Sequence, residues 1–157
     1  MIKLKNPYAS LPGYSCFACG PGNPTGLHME FYKDGDEIVS KWDPSEQYQG
    51  FHDILHGGIQ ATMMDEIASW VVFVMFDSAG MTYQLKTRFR KPVHISKGII
   101  TVRAKLLRQE KQIAEIEARL FDGTDMLCAE GVANYYVMPR EKAVKELKFP
   151  GREAFIS

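Results

Sequence analysis

One segment limits what this chain can fold into more than any other. It runs His56-Gly57-Gly58-Ile59-Gln60-Ala61-Thr62-Met63-Met64-Asp65-Glu66-Ile67-Ala68-Ser69-Trp70 and continues apolar to Phe76. Ile59, Met63, Ile67, Trp70 and Val74 recur at helical spacing and give one broad apolar stripe. Val71, Val72, Phe73 and Met75 widen it until the distal end is apolar nearly all round. Such a helix is predicted to lie inside a protein. The uninterrupted run from Val71 to Phe76 is far too short for a bilayer, which takes about 20 residues. The rest of the chain must therefore cover this helix.

The same helix carries a carboxylate among small residues. Ala61, Thr62, Ala68 and Ser69 lie three or four positions from Asp65, and Gly58 lies two turns back. That leaves room beside Asp65 for a ligand or for a second, closely packed helix. A solvated helix face shared with Glu66 fits the same pattern. An ionised carboxylate in a dry site is costly unless it is paired or hydrogen-bonded. Gly57 and Gly58 stand where the helix starts, and its first N–H groups have no internal partner. Those groups and the helix dipole attract negative charge, and glycine lets a carbonyl come close to the backbone. Donors of this kind can hold the oxyanion formed when a nucleophile adds to an ester or thioester. A tight entry turn alone would also use two glycines.

Spacing adds a constraint. Gly57 and Asp65 are about 12 Å apart along a helix axis at 1.5 Å per residue. Both cannot touch one reacting carbon from a single chain. If both act on one substrate, two antiparallel copies of the helix must supply them. A catalytic reading therefore predicts a dimer with sites shared between subunits.

His56-Gly57-Gly58 followed by Asp65, on a long helix in a strand-rich chain of 157 residues, resembles the hotdog-fold acyl-CoA thioesterases of the PaaI type. The run Cys16-Phe17-Ala18-Cys19-Gly20, Asn23-Pro24 and Gly26-Leu27 is similar to the amino-terminal signature of many members. The resemblance covers about residues 16 to 138. It implies an α+β hotdog fold, a curved antiparallel six-stranded sheet wrapped around one long central helix. It also implies a homodimer through edge strands, often a dimer of dimers.

The activity implied is hydrolysis of an acyl-CoA thioester. Gly57 N–H would polarise the carbonyl, and Asp65 of the other chain would act as general base or nucleophile. Thr82, by its order and its spacing to Pro92, matches the family's serine or threonine that positions the attacking water. His56 is expected to orient the turn by hydrogen bonding. Candidate substrate-binding residues are Gly58, Gln49, His52, Met64 and Ala68, with Arg88 and Arg90 facing the phosphates of coenzyme A. A charged, solvated strand edge explains the two arginines equally well. In some family members an asparagine six residues before the motif histidine helps bind the carbonyl; here that position is Gly50. The departure leaves Gln49 or His52 as stand-ins. It also keeps open a non-catalytic acyl-CoA-binding module. A hotdog hydratase or dehydratase, which would use a histidine as base with an acid on the helix, is the other reading. No metal or bound cofactor is expected.

The remaining sequence sets the frame. Nineteen basic and nineteen acidic residues give no net charge, against the basic excess of nucleic-acid binders. The amino terminus lacks an apolar signal core, and three cysteines make no disulfide framework, so a cytoplasmic protein is expected. Residues 1 to 26 are rich in proline and glycine and read as an ordered loop or lid. Cys16 and Cys19 form a CxxC, but zinc would need two further ligands, for which His28 or His52 are the candidates. Cys128 lies in a strand pattern, so the CxxC is read as a turn packed beside the site.

Residues 27 to 138 are expected to form the hotdog domain that the resemblance implies. Leu27, Met29 and Phe31 alternate with polar neighbours, as do Ile38, Ser40 and Trp42 across a Lys33–Asp36 hairpin turn. After the helix, Met81, Tyr83, Leu85 and Phe89 alternate with Thr82, Gln84, Lys86, Arg88 and Arg90. Three further amphipathic strands follow, separated by turns at Arg108–Lys111 and Asp122–Asp125. Residues 139 to 157 read as a charged tail with a short helix around Glu141 to Leu147.

Overall fold

The computed structural model describes residues 1–156. Seven strands form one antiparallel sheet in the order β1-β2-β3-β5-β6-β7-β4. They are β1 (Ile2–Lys3), β2 (Tyr32–Asp34), β3 (Glu37–Trp42), β4 (Gly80–Phe89), β5 (Ile100–Glu110), β6 (Ile113–Phe121) and β7 (Leu127–Val137). Helix α1 spans Gly57–Met75 and packs against β3 to β7. This is the α+β architecture expected, with seven strands in place of six. The extra strand is the two-residue β1, which pairs with β2.

The first expected strand is mostly not a sheet strand. Leu27, Met29 and Phe31 are buried and His28 and Glu30 exposed, as the alternation predicts. Their backbone groups, however, pair with the amino-terminal segment: Leu27 N–H donates to Phe17 O, Met29 N–H to Ala18 O and Leu4 N–H to Phe31 O. A period of two reports which side chains are buried, not which neighbour supplies the hydrogen bonds.

The core lies between α1 and the inner face of the sheet. Met63, Met64, Ile67, Ala68, Val71 and Val72 are fully buried, facing Ile100, Val102, Ile116, Ala118, Leu120 and Ala129. The outer face is wet, as one-sided antiparallel sheets allow. There Arg103 pairs with Asp34 and Glu37, and Arg119 with Glu37 and Glu117. Close approach of helix to sheet is set by Gly131 on β7. A Cβ there would lie 2.9 Å from Lys86 O, 3.3 Å from the Thr87 methyl and 3.6 Å from Met64 Sδ. Gly131→Val is expected to force β4 or α1 outward and to destabilise the fold by about 1–3 kcal/mol, read by chemical denaturation.

The carboxy-terminal segment is more than a charged tail. It forms α2 (Arg140–Leu147) and α3 (Glu153–Ile156), and it buries Phe149 and Phe155. Phe155 stacks on Phe73 at 4.9 Å and meets the Trp70 ring edge-on at 5.4 Å. From the other side Phe31 stacks on Trp70 at 4.2 Å. Both ends of the chain thus cover the face of α1 that the sheet leaves bare. Among the described residues, no helix is long and apolar enough to cross a membrane.

Candidate active site

The amino terminus of α1 is built by His56. Its backbone is extended (φ −56°, ψ 134°), and its Nδ1 accepts the Gly58 N–H at 2.8 Å. The His56 carbonyl accepts from Ile59 and Gln60 N–H. Gly58 N–H is therefore consumed by the cap, while Gly57 N–H finds no acceptor among the described residues. A donor at N1 with no partner is what an anion or a polarised carbonyl would meet. Beside it is a shallow hollow of about 320 Å³ lined by Gln49, His56, Gly58, Ile59 and Thr62, among others.

Two turns further on, Asp65 accepts a hydrogen bond from Thr82 Oγ1 at 2.7 Å. A β-bulge in β4 makes this possible. The register with β7 shifts between Thr82 and Gln84, so that Thr82 opposes buried Tyr135 and Leu85 opposes buried Ala133. One extra residue at Tyr83 thus turns Thr82 inward toward α1. This corrects the expected alternation. Met81 and Tyr83, read in one alternation with Leu85, are 52% and 58% exposed, because a bulge reverses the phase without any compositional mark.

Asp65 and Thr82 stand on the wall of a cavity of about 640 Å³. Glu66, Ser69, Trp70 and Phe73 continue the wall along α1, with Tyr135 on β7 and Leu147 from α2. The amino-terminal segment closes the far side with Tyr8, Leu11, Tyr14, Cys16 and Cys19. Met64 and Ala68 line no part of it. They are wholly buried against the sheet, because they lie about 100° around the helix axis from Asp65 and Ser69. His52 sits in an exposed turn and borders none of these cavities. Gln49 Oε1 accepts the Asp53 N–H at 2.9 Å and so braces the loop before the helix. Arg90 pairs with Glu130 at 2.6 Å, and Arg88 lines a separate groove on the sheet with Lys86, Glu117 and Arg119. The described residues thus bring Asp65 and Thr82 together, group His56, Gly57, Gly58 and Gln49 at the helix start, and leave His52, Arg88 and Arg90 apart.

Composition gave no warning of what surrounds Glu66. Its Oε1 accepts from Trp70 Nε1 at 3.2 Å and lies 2.9 Å from Cys19 Sγ and 3.8 Å from Cys16 Sγ. Burial, with the charge of Cys16 adding to it, pushes the Glu66 carboxyl up to about 7. The hydrogen bond from Cys19 pulls the Cys16 thiol down to about 5, against the effect of burial. The Cys19 thiol is pushed up by Cys16, by burial and by Glu66. The sequence hints at this contact through the CxxC, read as a turn packed beside the site, and a wide cavity on α1 can reach two adjacent positions, about 100° apart around the axis.

Residues 52–129 match the family model described as thioesterase superfamily. The chain belongs to that superfamily. A Saccharolobus solfataricus protein provisionally named an esterase, SSO2140, is 26% identical over 94 residues, 59% of this chain. That match spans 66% of the relative's own length. The E. coli PaaI protein from the phenylacetic acid degradation operon superposes with a TM-score of 0.65 at 16% identity, over 73% of this chain and 82% of its own. The smu.793 protein of Streptococcus mutans, solved bound to acetyl CoA, gives a TM-score of 0.67 at 11% identity, over 83% and 98%. At these identities the structural likenesses speak for a shared hotdog fold.

Proposed function

We propose that the protein is a thioesterase that hydrolyses an acyl-CoA to the free acid and coenzyme A. The observation that carries this reading is the 2.7 Å hydrogen bond holding Asp65 at the wall of the 640 Å³ cavity. Thr82 donates to Oδ1 and so restrains the carboxylate. The other oxygen is then aimed at a water or at the thioester carbon. The acyl group lies in the cavity against Trp70, Phe73 and Leu147, in place of the expected Met64 and Ala68, which are sealed in the core. Coenzyme A bound to a hotdog neighbour, acetyl CoA in smu.793, supports the ligand class. Gly57 N–H, unpaired at N1, polarises the carbonyl from a second subunit. The family asparagine being Gly50 here, that N–H is the principal oxyanion donor.

A second subunit requires a surface. Strand β4 is an edge of the sheet, and Met81, Tyr83 and Phe89 on it are each about half exposed. An open edge with three large apolar side chains is unusual on a monomer. Pairing of β4 with its copy is the proposed dimer contact. Met81→Lys combined with Tyr83→Lys is expected to give a folded monomer by light scattering with turnover lost. An active monomer would remove the shared site.

The hydratase alternative loses its base. His56 Nδ1 is occupied by the Gly58 N–H, which leaves the ring proton on Nε2. The deciding experiment is thiol release across acyl-CoAs of graded length, run beside the absorbance of an enoyl thioester. Free thiol from at least one acyl-CoA is expected. Loss of the enoyl double bond without thiol release would favour the hydratase, and binding without either would favour the non-catalytic module.

A further inference from the structure

At the junction of the amino-terminal segment with α1, three ligand atoms converge that the hydrolytic reaction does not use. Cys16 Sγ and Cys19 Sγ are 3.4 Å apart, and Glu66 Oε1 is 3.8 Å and 2.9 Å from them. These distances place all three atoms within 4.8 Å of one another. A point about 2.2 Å from each lies roughly 1 Å off their plane, which is where a tetrahedral ion with Zn–S of about 2.3 Å and Zn–O of about 2.1 Å would sit.

The three atoms also share their protons. Cys19 S–H lies in position to donate to Cys16 Sγ or to Glu66 Oε1, and Cys16 S–H to Glu66 Oε1, so all three turn toward one gap. Donors stand behind the ligand atoms. Cys16 Sγ accepts the Cys19 N–H at 3.4 Å, and Glu66 Oε1 accepts Trp70 Nε1–H. Tyr14 Oη lies 3.1 Å from Cys19 Sγ, with Asn6 Nδ2 at 3.8 Å. Outer donors of this kind orient and stabilise ligating thiolates and carboxylates. The loop itself is a tight knuckle: Gly20 N–H closes on Cys16 O at 2.9 Å, and a Cβ at Gly20 would lie 2.6 Å from that oxygen.

We propose that Cys16, Cys19 and Glu66 bind a zinc-class divalent ion whose fourth position opens into the cavity beside Asp65. Two thiolates select a borderline-soft ion over magnesium or calcium. Two ligands come from the loop and one from α1, so the ion clamps the amino-terminal segment over the cavity. The site departs from the sequence expectation of no metal because its third ligand is a helix carboxylate, not His28 or His52. It stands independently of the thioesterase reading.

The test is cobalt titration of the reduced, chelator-stripped full-length protein. Expected are a thiolate-to-cobalt charge-transfer band and the visible bands of a tetrahedral ion, saturating at one ion per chain and displaced by zinc. Cys16→Ser and Cys19→Ser each weaken the charge-transfer band and the double variant loses it, Glu66→Gln shifts the visible bands, and Cys128→Ser keeps both. Zinc raises the melting temperature of the wild type. A wild-type protein with reduced thiols that shows no charge-transfer band overturns the proposal, as does a band that survives loss of both cysteines. Visible bands unmoved by Glu66→Gln overturn the carboxylate ligand.

Discussion

Replacing Asp65 by asparagine lowers turnover of the best acyl-CoA substrate by about 10²- to 10⁴-fold, the range supplied by a positioned base. The fold is unaffected. Asparagine keeps the shape of the side chain, and its carbonyl oxygen still accepts the Thr82 hydroxyl that now lies at 2.7 Å. Only the negative charge and the basic lone pair are lost. The unfolding free energy is expected to change by less than about 0.5 kcal/mol, as for substitutions that break no packing or buried contact. The loss falls on kcat more than on KM, since the acyl cavity is untouched. Thr82→Val gives a smaller loss of the same kind, because it frees the carboxylate without removing it. An Asp65→Asn enzyme with wild-type turnover would show that the carboxylate serves only the fold.

Gly57→Pro is the second large effect. It deletes one N–H and nothing else of consequence. Gly57 is the first residue of α1, where proline is tolerated because that N–H bonds to nothing in the helix. The residue before a proline must be extended, and His56 already is, at φ −56° and ψ 134°. The space beside Gly57 is also adequate, with the nearest atoms to a Cβ on the Phe89 ring at 3.7 Å. The helix should therefore form as before, with an unchanged circular-dichroism spectrum. If Gly57 N–H is the oxyanion donor, kcat drops by about 10²- to 10³-fold. An alanine at the same position keeps the N–H and is expected to keep most of the activity. Equal activity in the proline and alanine variants would assign the glycine to the turn alone.

Much of this architecture was legible in the sequence, and the failures have physical reasons. The 3.6-residue period of Ile59, Met63, Ile67, Trp70 and Val74 marks α1, since a helix covered on most sides leaves few positions for polar residues. The resemblance put Thr82 and Asp65 at one site, but the strand period did not show their pairing. It depends on a bulge at Tyr83, and the apolar residues on either side keep an unbroken odd-numbered alternation. Met64 and Ala68 looked like a pocket because one is flexible and the other small. Small residues also mark close helix–sheet contact, which is what Gly131 shows opposite Met64. Phe149 and Phe155 were lost among charges, since two isolated aromatics have no period to read. Glu66 was legible only as a neighbour of Asp65, because its partners Cys16 and Cys19 are some fifty positions away and meet it only through the fold.

The most direct measurement is complementation between the two disabled chains. Asp65→Asn and Gly57→Pro subunits are unfolded together, mixed in equal amounts and refolded, and thiol release is compared with each variant alone. Random pairing of a two-fold dimer makes half of the dimers mixed. Each mixed dimer then holds one site with an intact Gly57 from one chain and an intact Asp65 from the other. Activity is expected to return to about a quarter of the wild-type value per chain. A mixture no more active than the average of its two components would mean that the amide and the carboxylate never meet across subunits.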